Sequence, residues 1–255
     1  MRAEGPDRPP SLPGRAGPAG RGCAGCHGHH DVRGRDSRGR EARHHGRASH
    51  SWTQIAAGLR HTCGIRRGRT LWCWGLNADG ELGIGSFQNQ SLPSQVSVPG
   101  QSCWASVAAG SFFTCATRAG QSLWCWGDNL SGALGIGDDA LVFLNLPRQV
   151  TTPAPGGWAS ITTGWQHACG IRLGGTLWCW GDNSFGQLGI GSTTGQSLPQ
   201  QVTTPARTGW ASVTGGEYDT CATRVNGSAW CWGDNTYGQL GIGTTIAQYL
   251  PQQVK

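Results

Sequence analysis

The first 50 residues contain no tryptophan, tyrosine or phenylalanine and almost no branched aliphatic residue. Such a segment cannot bury enough apolar surface to offset the chain entropy lost on folding, so we predict that residues 1–50 are disordered. A start codon assigned upstream of the true one would explain this composition equally well.

The N-terminal segment holds 10 of the 20 Lys and Arg but only 5 of the 14 Asp and Glu, whereas residues 51–255 carry 10 basic and 9 acidic residues. The net charge of +1 on the second part argues against a nucleic-acid-binding domain, and nucleic acid is expected to bind at most weakly, through the N-terminal segment.

The sequence also lacks any run of 18 or more apolar residues, so we expect no membrane-spanning helix. Its start, MRAEGPDRPPSLPGRAG, lacks the apolar segment of a secretory signal. No nucleophile with a base, pair of carboxylates or ligand cluster stands out as unique, which predicts that the protein is not an enzyme. Asp128, Asp182 and Asp234 recur before an asparagine, and we interpret them as turn residues whose side chains bind backbone N–H groups rather than as catalytic groups.

A fourfold repeat organises residues 51–255. The string LWCWG starts at residues 71, 123 and 177, and AWCWG starts at residue 229, so the offsets are 52, 54 and 52. A preceding motif W(A/T)(S/Q)(I/V)xxG and a closing LPxQV keep the same order in every copy. The four units are therefore 51–102, 103–156, 157–208 and 209–255.

Each unit shows β-strand signals, with short apolar runs separated by Gly, Asn-Gly or Asp-Asn. A hairpin that pairs Cys63 with Cys73 also places Gly64 opposite Trp72, and in the other copies a large ring again faces a glycine or an alanine. Both faces of such a sheet are apolar, so each sheet needs cover on both sides. This requirement and the repeat length favour the blade of a radial β-propeller.

The segment TLWCWGDNSFGQLGIG at residues 176–191 and its three counterparts resemble the repeat of the regulator of chromosome condensation family. The resemblance implies an all-β, seven-bladed propeller, although this chain has four units. A fragment of a longer gene product, a smaller ring and closure by a second chain are the alternatives, and we expect the first. The last unit stops at PQQVK, and we expect it to lack a strand that completes it.

Eight of the eleven cysteines form four pairs with nine intervening residues. The hairpin register places each pair directly across two strands, where a disulfide fits, and this predicts four disulfides within the blades. Packed thiols are the alternative, and zinc is disfavoured because each hairpin offers only two thiolates. Disulfides indicate an extracellular or cell-surface location, whereas the missing signal peptide indicates the cytoplasm as the alternative. The pairs are Cys63 and Cys73, Cys115 and Cys125, Cys169 and Cys179, and Cys221 and Cys231.

Cys23, Cys26 and His27 have the spacing of a c-type haem attachment site. The surrounding segment offers no apolar residues for a haem pocket, so we expect no cofactor and no metal site. Cys103 remains outside the four pairs.

Positions that break the repeat are the best candidates for function, because folding alone explains the repeated ones. They follow the W-x-x-(I/V)-x-x-G strand and combine aromatic with acidic side chains, a composition typical of protein-binding surfaces. The alternative is that some of them pack between blades. A second candidate is the apolar run 141–144 in a predicted loop, which either covers a neighbouring blade or meets a partner. The candidate partner-binding residues are Phe112, Phe113, Trp165, His167, Glu217, Tyr218 and Asp219.

These observations predict a non-catalytic module that binds an unidentified protein through one rim. The resemblance implies an alternative, because known family members include a guanine-nucleotide exchange factor for a small GTPase. They also include a secreted bacterial propeller that inhibits β-lactamase, and the paired cysteines of this chain look more like exported bacterial members. No exchange motif is recognisable in the four copies.

Overall fold

The computed structural model describes residues 51–98, 103–138, 140–151 and 156–255. These residues form sixteen strands in four antiparallel sheets, one sheet for each repeat, and no helix. The predicted all-β class and the blade architecture are thus confirmed. The prediction of disorder for residues 1–50 and the haem-like motif lie outside the described residues.

The four sheets are called blades 1 to 4 and run in chain order. The first strands of neighbouring blades contact one another and form the inner side of the arc. The strands are β1 (Trp52–Ala57), β2 (His61–Arg66), β3 (Leu71–Gly75) and β4 (Gln90–Gln95) in blade 1; β5 (Trp104–Ala109), β6 (Phe113–Arg118), β7 (Leu123–Asp128) and β8 (Phe143–Gln149) in blade 2; β9 (Trp158–Thr163), β10 (His167–Arg172), β11 (Leu177–Gly181) and β12 (Gln196–Gln201) in blade 3; and β13 (Trp210–Gly215), β14 (Asp219–Arg224), β15 (Ala229–Gly233) and β16 (Gln248–Gln253) in blade 4.

The hairpin register agrees with the prediction in every blade. Cys63 pairs with Cys73 and Gly64 pairs with Trp72, and the other three hairpins repeat this pattern. All four predicted disulfides are present, each with its Cα atoms 4.1 Å apart and a sequence separation of 10. A disulfide that closes a loop of this length stabilises a fold by about 3 kcal/mol in the chain-entropy model.

Two expectations from the sequence are wrong. Blade 4 does not lack a strand, because β13 supplies its inner strand and β16 its outer one. The run 141–144 is not wholly a loop, because Phe143 and Leu144 begin β8. Leu144 packs against the clusters on both sides of blade 2, whereas Val142 and Phe143 are exposed.

Each blade has two different apolar faces, which we call the disulfide face and the tryptophan face. In blade 2 the disulfide face carries Cys115, Leu123 and Cys125, and the tryptophan face carries Trp104 and Trp126. At each of the three junctions the disulfide face of one blade packs on the tryptophan face of the next. The core of the protein is therefore divided into layers between blades rather than gathered in one centre.

Arginine side chains extend the tryptophan faces at the end of the second strand of each blade. The Cζ atom of Arg66 lies 4.1 Å from the ring centroid of Trp72, and that of Arg118 lies 4.2 Å from the ring of Trp124. Arg172 and Arg224 lie over tryptophan rings of blades 3 and 4 in the same way. These cation–π contacts fix four guanidinium groups at one end of the blades.

Within the described residues, no helix is long and apolar enough to cross a membrane.

Candidate protein-binding rim

One edge of the arc, called the upper rim here, contains the connections from the first to the second and from the third to the fourth strand of each blade. In an antiparallel sheet both connections lie at the same end. Backbone bonds join them: Asp182 N–H donates to the carbonyl of Gln166, and Asp234 N–H donates to that of Tyr218, both at 2.9 Å. The loops that carry the candidate residues are therefore held on the blade scaffold.

Aromatic rings form a row along the upper rim from blade 2 to blade 4. The ring centroids of Phe112 and Trp165 are 5.8 Å apart with the planes at 85°, and those of Trp165 and Tyr218 are 6.3 Å apart. Phe185 extends the row, with its centroid 4.9 Å from that of Tyr218. Phe185 is not among the residues predicted from the sequence. It also departs from the repeat, since Asp79 and Ser131 occupy the equivalent positions in blades 1 and 2.

The structure brings five of the seven candidate residues to this rim and places two elsewhere. Phe112, Trp165 and Tyr218 are half-buried in the row, Glu217 is exposed and Asp219 is half-buried beside it.

Phe113 and His167 are buried, which corrects their assignment to a partner-binding surface. Phe113 packs in the core between blades 2 and 3. The Nε2 atom of His167 lies 2.9 Å from the hydroxyl oxygen of Thr220 in the next blade.

Charge is separated between the two rims. All described acidic residues lie on the upper rim or in the segments that form it. Of the described basic residues, only Arg60 lies there. The net charge of +1 on the folded part therefore describes neither rim. The acidic residues are Asp79, Glu81, Asp128, Asp138, Asp182, Glu217, Asp219 and Asp234, and the basic residues of the opposite, lower rim are Arg66, Arg67, Arg69, Arg118, Arg148, Arg172, Arg207, Arg224 and Lys255.

Burial and neighbouring carboxylates shift the pKa of groups in and beside the aromatic row. Burial raises the pKa of the Tyr218 hydroxyl, and the charge of Glu217 and its hydrogen bond with Tyr218 raise it further. Burial also raises the pKa of the Asp219 carboxyl, and the nearby charge of Asp234 adds to this effect. Negative charge therefore lies beside the aromatic row.

The three repeated aspartates act as turn residues, as the sequence predicts. Asp128 Oδ1 accepts a hydrogen bond from Leu130 N at 2.8 Å, and Asp182 and Asp234 accept from the backbone two residues later at 3.2 and 3.0 Å. The neighbouring asparagines are buried and hold the same loop: Asn183 Oδ1 accepts from Leu188 N at 3.0 Å, and its Nδ2 donates to the carbonyl of Ser192 at 2.8 Å. Folding therefore accounts for these positions.

An open concavity of about 330 Å³ lies on the inner side of the upper rim. It is lined by the ends of the inner strands of all four blades, including Trp165 and Glu217. Its remaining lining is mainly Gly and Ala, so its surface consists mainly of backbone atoms and the edge of the aromatic row. In the part of the chain that the structure describes, no group of three or more His, Cys, Asp or Glu is placed to hold a metal ion.

Two family models for the regulator of chromosome condensation repeat match the sequence. One covers residues 70–117, 122–171, 174–223 and 226–255, and the other covers 52–81, 104–133, 158–187 and 210–239. The chain belongs to this repeat family. The match confirms the resemblance on which the fold was predicted.

Curated relatives are longer than this chain. The ultraviolet-B receptor UVR8 of Arabidopsis thaliana is 30% identical over 204 residues, which is 79% of this chain but 46% of the receptor. The probable E3 ubiquitin-protein ligase HERC6 of Homo sapiens is 28% identical over 208 residues, which is 20% of that ligase. The chain thus spans less than half of each of these two relatives.

Solved structures share the fold. Human WBSCR16 aligns with a TM-score of 0.72 and 23% identity over 80% of this chain and 53% of its own. Yeast RCC1 (Prp20), solved with bound Kap60, aligns with a TM-score of 0.71 and 22% identity over 80% of this chain and 49% of its own. At this level of identity the likeness shows the architecture alone.

Proposed function

We propose that this chain is a protein-binding module whose upper rim receives a positively charged segment of a partner protein. The observation that carries the proposal is the aromatic row of Phe112, Trp165, Tyr218 and Phe185, which lies on the rim that holds the acidic residues. Aromatic rings provide large contact area at low entropic cost, and their faces attract cations.

The chemistry of the rim selects the sign of the partner's charge. Glu217 is exposed and Asp182 is half-buried next to Tyr218, so both carboxylates are within reach of a bound Lys or Arg. Like-charged partners would be repelled by the other carboxylates of the rim. The loops are tied to the blades by backbone hydrogen bonds, so binding would need little ordering of the rim.

The Trp165→Ala variant is expected to bind such a partner at least about tenfold more weakly, because Trp165 contacts both neighbours of the row. The probe is a peptide selected from a random display library on the immobilised protein, with binding measured by titration calorimetry. Selected peptides should be enriched in Lys and Arg. Val225→Ala, at an exposed position on the lower rim, is the control and should bind as the unchanged protein does.

Enrichment of acidic peptides, or equal affinity of the Trp165→Ala variant, would contradict the proposed site. Melting temperatures separate a local effect from unfolding: Trp165 is half-buried on the rim, so its loss should change affinity more than stability. Guanine-nucleotide exchange is not proposed, because the solved relatives of 22–23% identity carry the fold alone.

The location that we propose is extracellular, and four disulfides support it. In protein isolated from its native host under denaturing conditions, the eight paired cysteines should resist alkylation until a reductant is added. Intact mass before and after reduction counts the modified thiols. Complete alkylation without reductant would place the protein in a reducing compartment.

A further inference from the structure

The lower rim carries basic residues and, among the residues that the structure describes, no acidic one. It includes the turns that join the second strand of each blade to the third. Each turn contains a glycine at which an added Cβ atom would meet no atom within 4 Å, so the turns stand clear of the surrounding structure. These glycines are Gly68, Gly120, Gly174 and Gly227.

Two of these turns present aliphatic side chains to solvent. Leu173 in blade 3 is 53% exposed, and Val225 in blade 4 is 78% exposed. Each directly follows an arginine, Arg172 or Arg224, whose guanidinium group lies over a tryptophan ring. Exposed leucine and valine side chains gain free energy when they leave water, so these two turns favour an apolar environment.

The other prominent feature of the lower rim is exposed positive charge. In blade 1 the turn carries a basic side chain on each side of Gly68, and further basic side chains follow along the arc as far as the end of blade 4. With no described carboxylate among them, they produce a field of one sign that attracts anions. The exposed basic residues are Arg67, Arg69, Arg148, Arg207 and Lys255.

A lipid surface fits these two features together. A folded protein would need a separate recess for Leu173 and for Val225, because the two side chains lie on turns of different blades. A soluble polyanion would pair with the basic residues but would leave both aliphatic side chains in water. A bilayer accepts apolar side chains below its headgroups at any lateral position, and arginine side chains reach the phosphates from that depth.

We infer that the lower rim is a membrane-contact surface that lies on an anionic bilayer. Leu173 and Val225 insert below the headgroups, and the exposed basic residues pair with lipid phosphates. The upper rim then faces away from the bilayer and stays accessible to a protein partner. The inference rests on lower-rim residues alone and does not depend on the function proposed for the upper rim.

Co-sedimentation of the oxidised, full-length protein with lipid vesicles tests this surface. The probes are vesicles of phosphatidylcholine alone and vesicles in which about one third of the lipid is phosphatidylglycerol. The protein is expected to bind the anionic vesicles, and binding should weaken with added salt, because salt screens the charges on both surfaces. Residues 1–50 are present in every variant, so their basic charge contributes equally to each measurement.

The variant Leu173→Ser with Val225→Ser should bind the anionic vesicles at least about tenfold more weakly, because it removes both apolar side chains and leaves the charge unchanged. Leu130→Ser with Ile246→Ser is the matched control. Leu130 and Ile246 are 66% and 69% exposed on the upper rim, so the same chemical change there should leave vesicle binding unaltered.

A second variant, Arg67→Ala with Arg69→Gln, changes the charge of the blade 1 turn. It copies the blade 2 turn, which has Ala119 and Gln121 at these positions, and Arg69 and Gln121 share a positive φ. The turn should therefore keep its conformation. Affinity for the anionic vesicles should fall about thirtyfold, because two basic residues no longer interact with the charged surface.

Absence of binding to anionic vesicles, or equal binding to vesicles of phosphatidylcholine alone, would overturn the inference. Vesicle affinity that depends on the arginines but not on Leu173 and Val225 would also overturn it, and would indicate a soluble polyanion as the partner. Melting temperatures followed by circular dichroism should be unchanged, since all the substituted side chains are exposed. Peptide binding at the upper rim should be equal in the lower-rim variants, so the two proposals fail separately.

Discussion

The free energy of unfolding is expected to fall by about 3 kcal/mol for each of His61 and His167 as the pH is lowered from 7 to 4. Burial lowers the pKa of each imidazole from 6.5 to about 4. In both residues Nε2 bonds a threonine hydroxyl, and the buried Nδ1 has no hydrogen-bond partner among the described residues. A second proton on Nδ1 would therefore be buried without an acceptor.

The sign follows from which state binds the proton. Below pH 6.5 the unfolded chain protonates both histidines while the folded protein keeps them neutral, so stability is lost from pH 6.5 down to about pH 4. Carboxyls act in the opposite direction: burial raises the pKa of Glu81 and Asp128, so the folded state binds their protons first and gains stability on acidification. The histidine effect must be isolated by comparison with a variant.

The double variant His167→Phe with Thr220→Ala provides that comparison, because it copies the junction that Phe113 and Ala168 form naturally. Chemical denaturation at pH 7.5, 6 and 5 should show about half of the histidine-dependent loss in this variant. Equal pH dependence in both proteins would show that His167 is not held neutral in the folded state.

Trp180→Ala is expected to destabilise the fold by about 3–5 kcal/mol. The side chain is completely buried between blades 2 and 3, and its ring centroid lies 5.6 Å from that of Trp158. The substitution leaves a cavity and also removes the N–H that bonds the carbonyl of Ala133. Both losses occur at a junction between blades, so we expect the blades on either side to separate more easily.

Leu173→Ala is the control for this prediction, because Leu173 is exposed on the same blade and should change the free energy of unfolding by no more than about 0.5 kcal/mol. Urea titration followed by tryptophan fluorescence measures both variants. If Trp180→Ala lowered the free energy of unfolding no more than the control does, the junction would not depend on this ring.

The blade could be predicted in detail because its signals are local and repeated four times. Cys63 and Cys73 are ten residues apart, so the turn between them leaves little freedom in strand pairing, and three further copies test the same register. The disulfides follow directly from that register. The completeness of blade 4 was not predicted, because a further strand was expected after PQQVK, whereas β13 supplies the inner strand.

The candidate site was only partly predictable. Repeat-breaking positions led to Phe112, Trp165 and Tyr218, which the structure joins in one row. The same criterion included Phe113 and His167, which are buried against the next blade. Phe112 ends the loop and Phe113 begins β6, so these adjacent residues have different surroundings that sequence position alone does not distinguish.

By itself, the sequence determined the number of blades, the strands within them, the register of each hairpin and the four cysteine pairs, since these depend on contacts within about fifty residues. The tertiary structure decided which residues become core and which remain exposed, because each blade is covered only by its neighbours. It also placed the described acidic residues on the upper rim and the described basic residues other than Arg60 on the lower rim, which a sum of charges cannot show. Trp52 and Trp104 occupy the same repeat position, but only Trp104 is buried, because blade 1 packs on it.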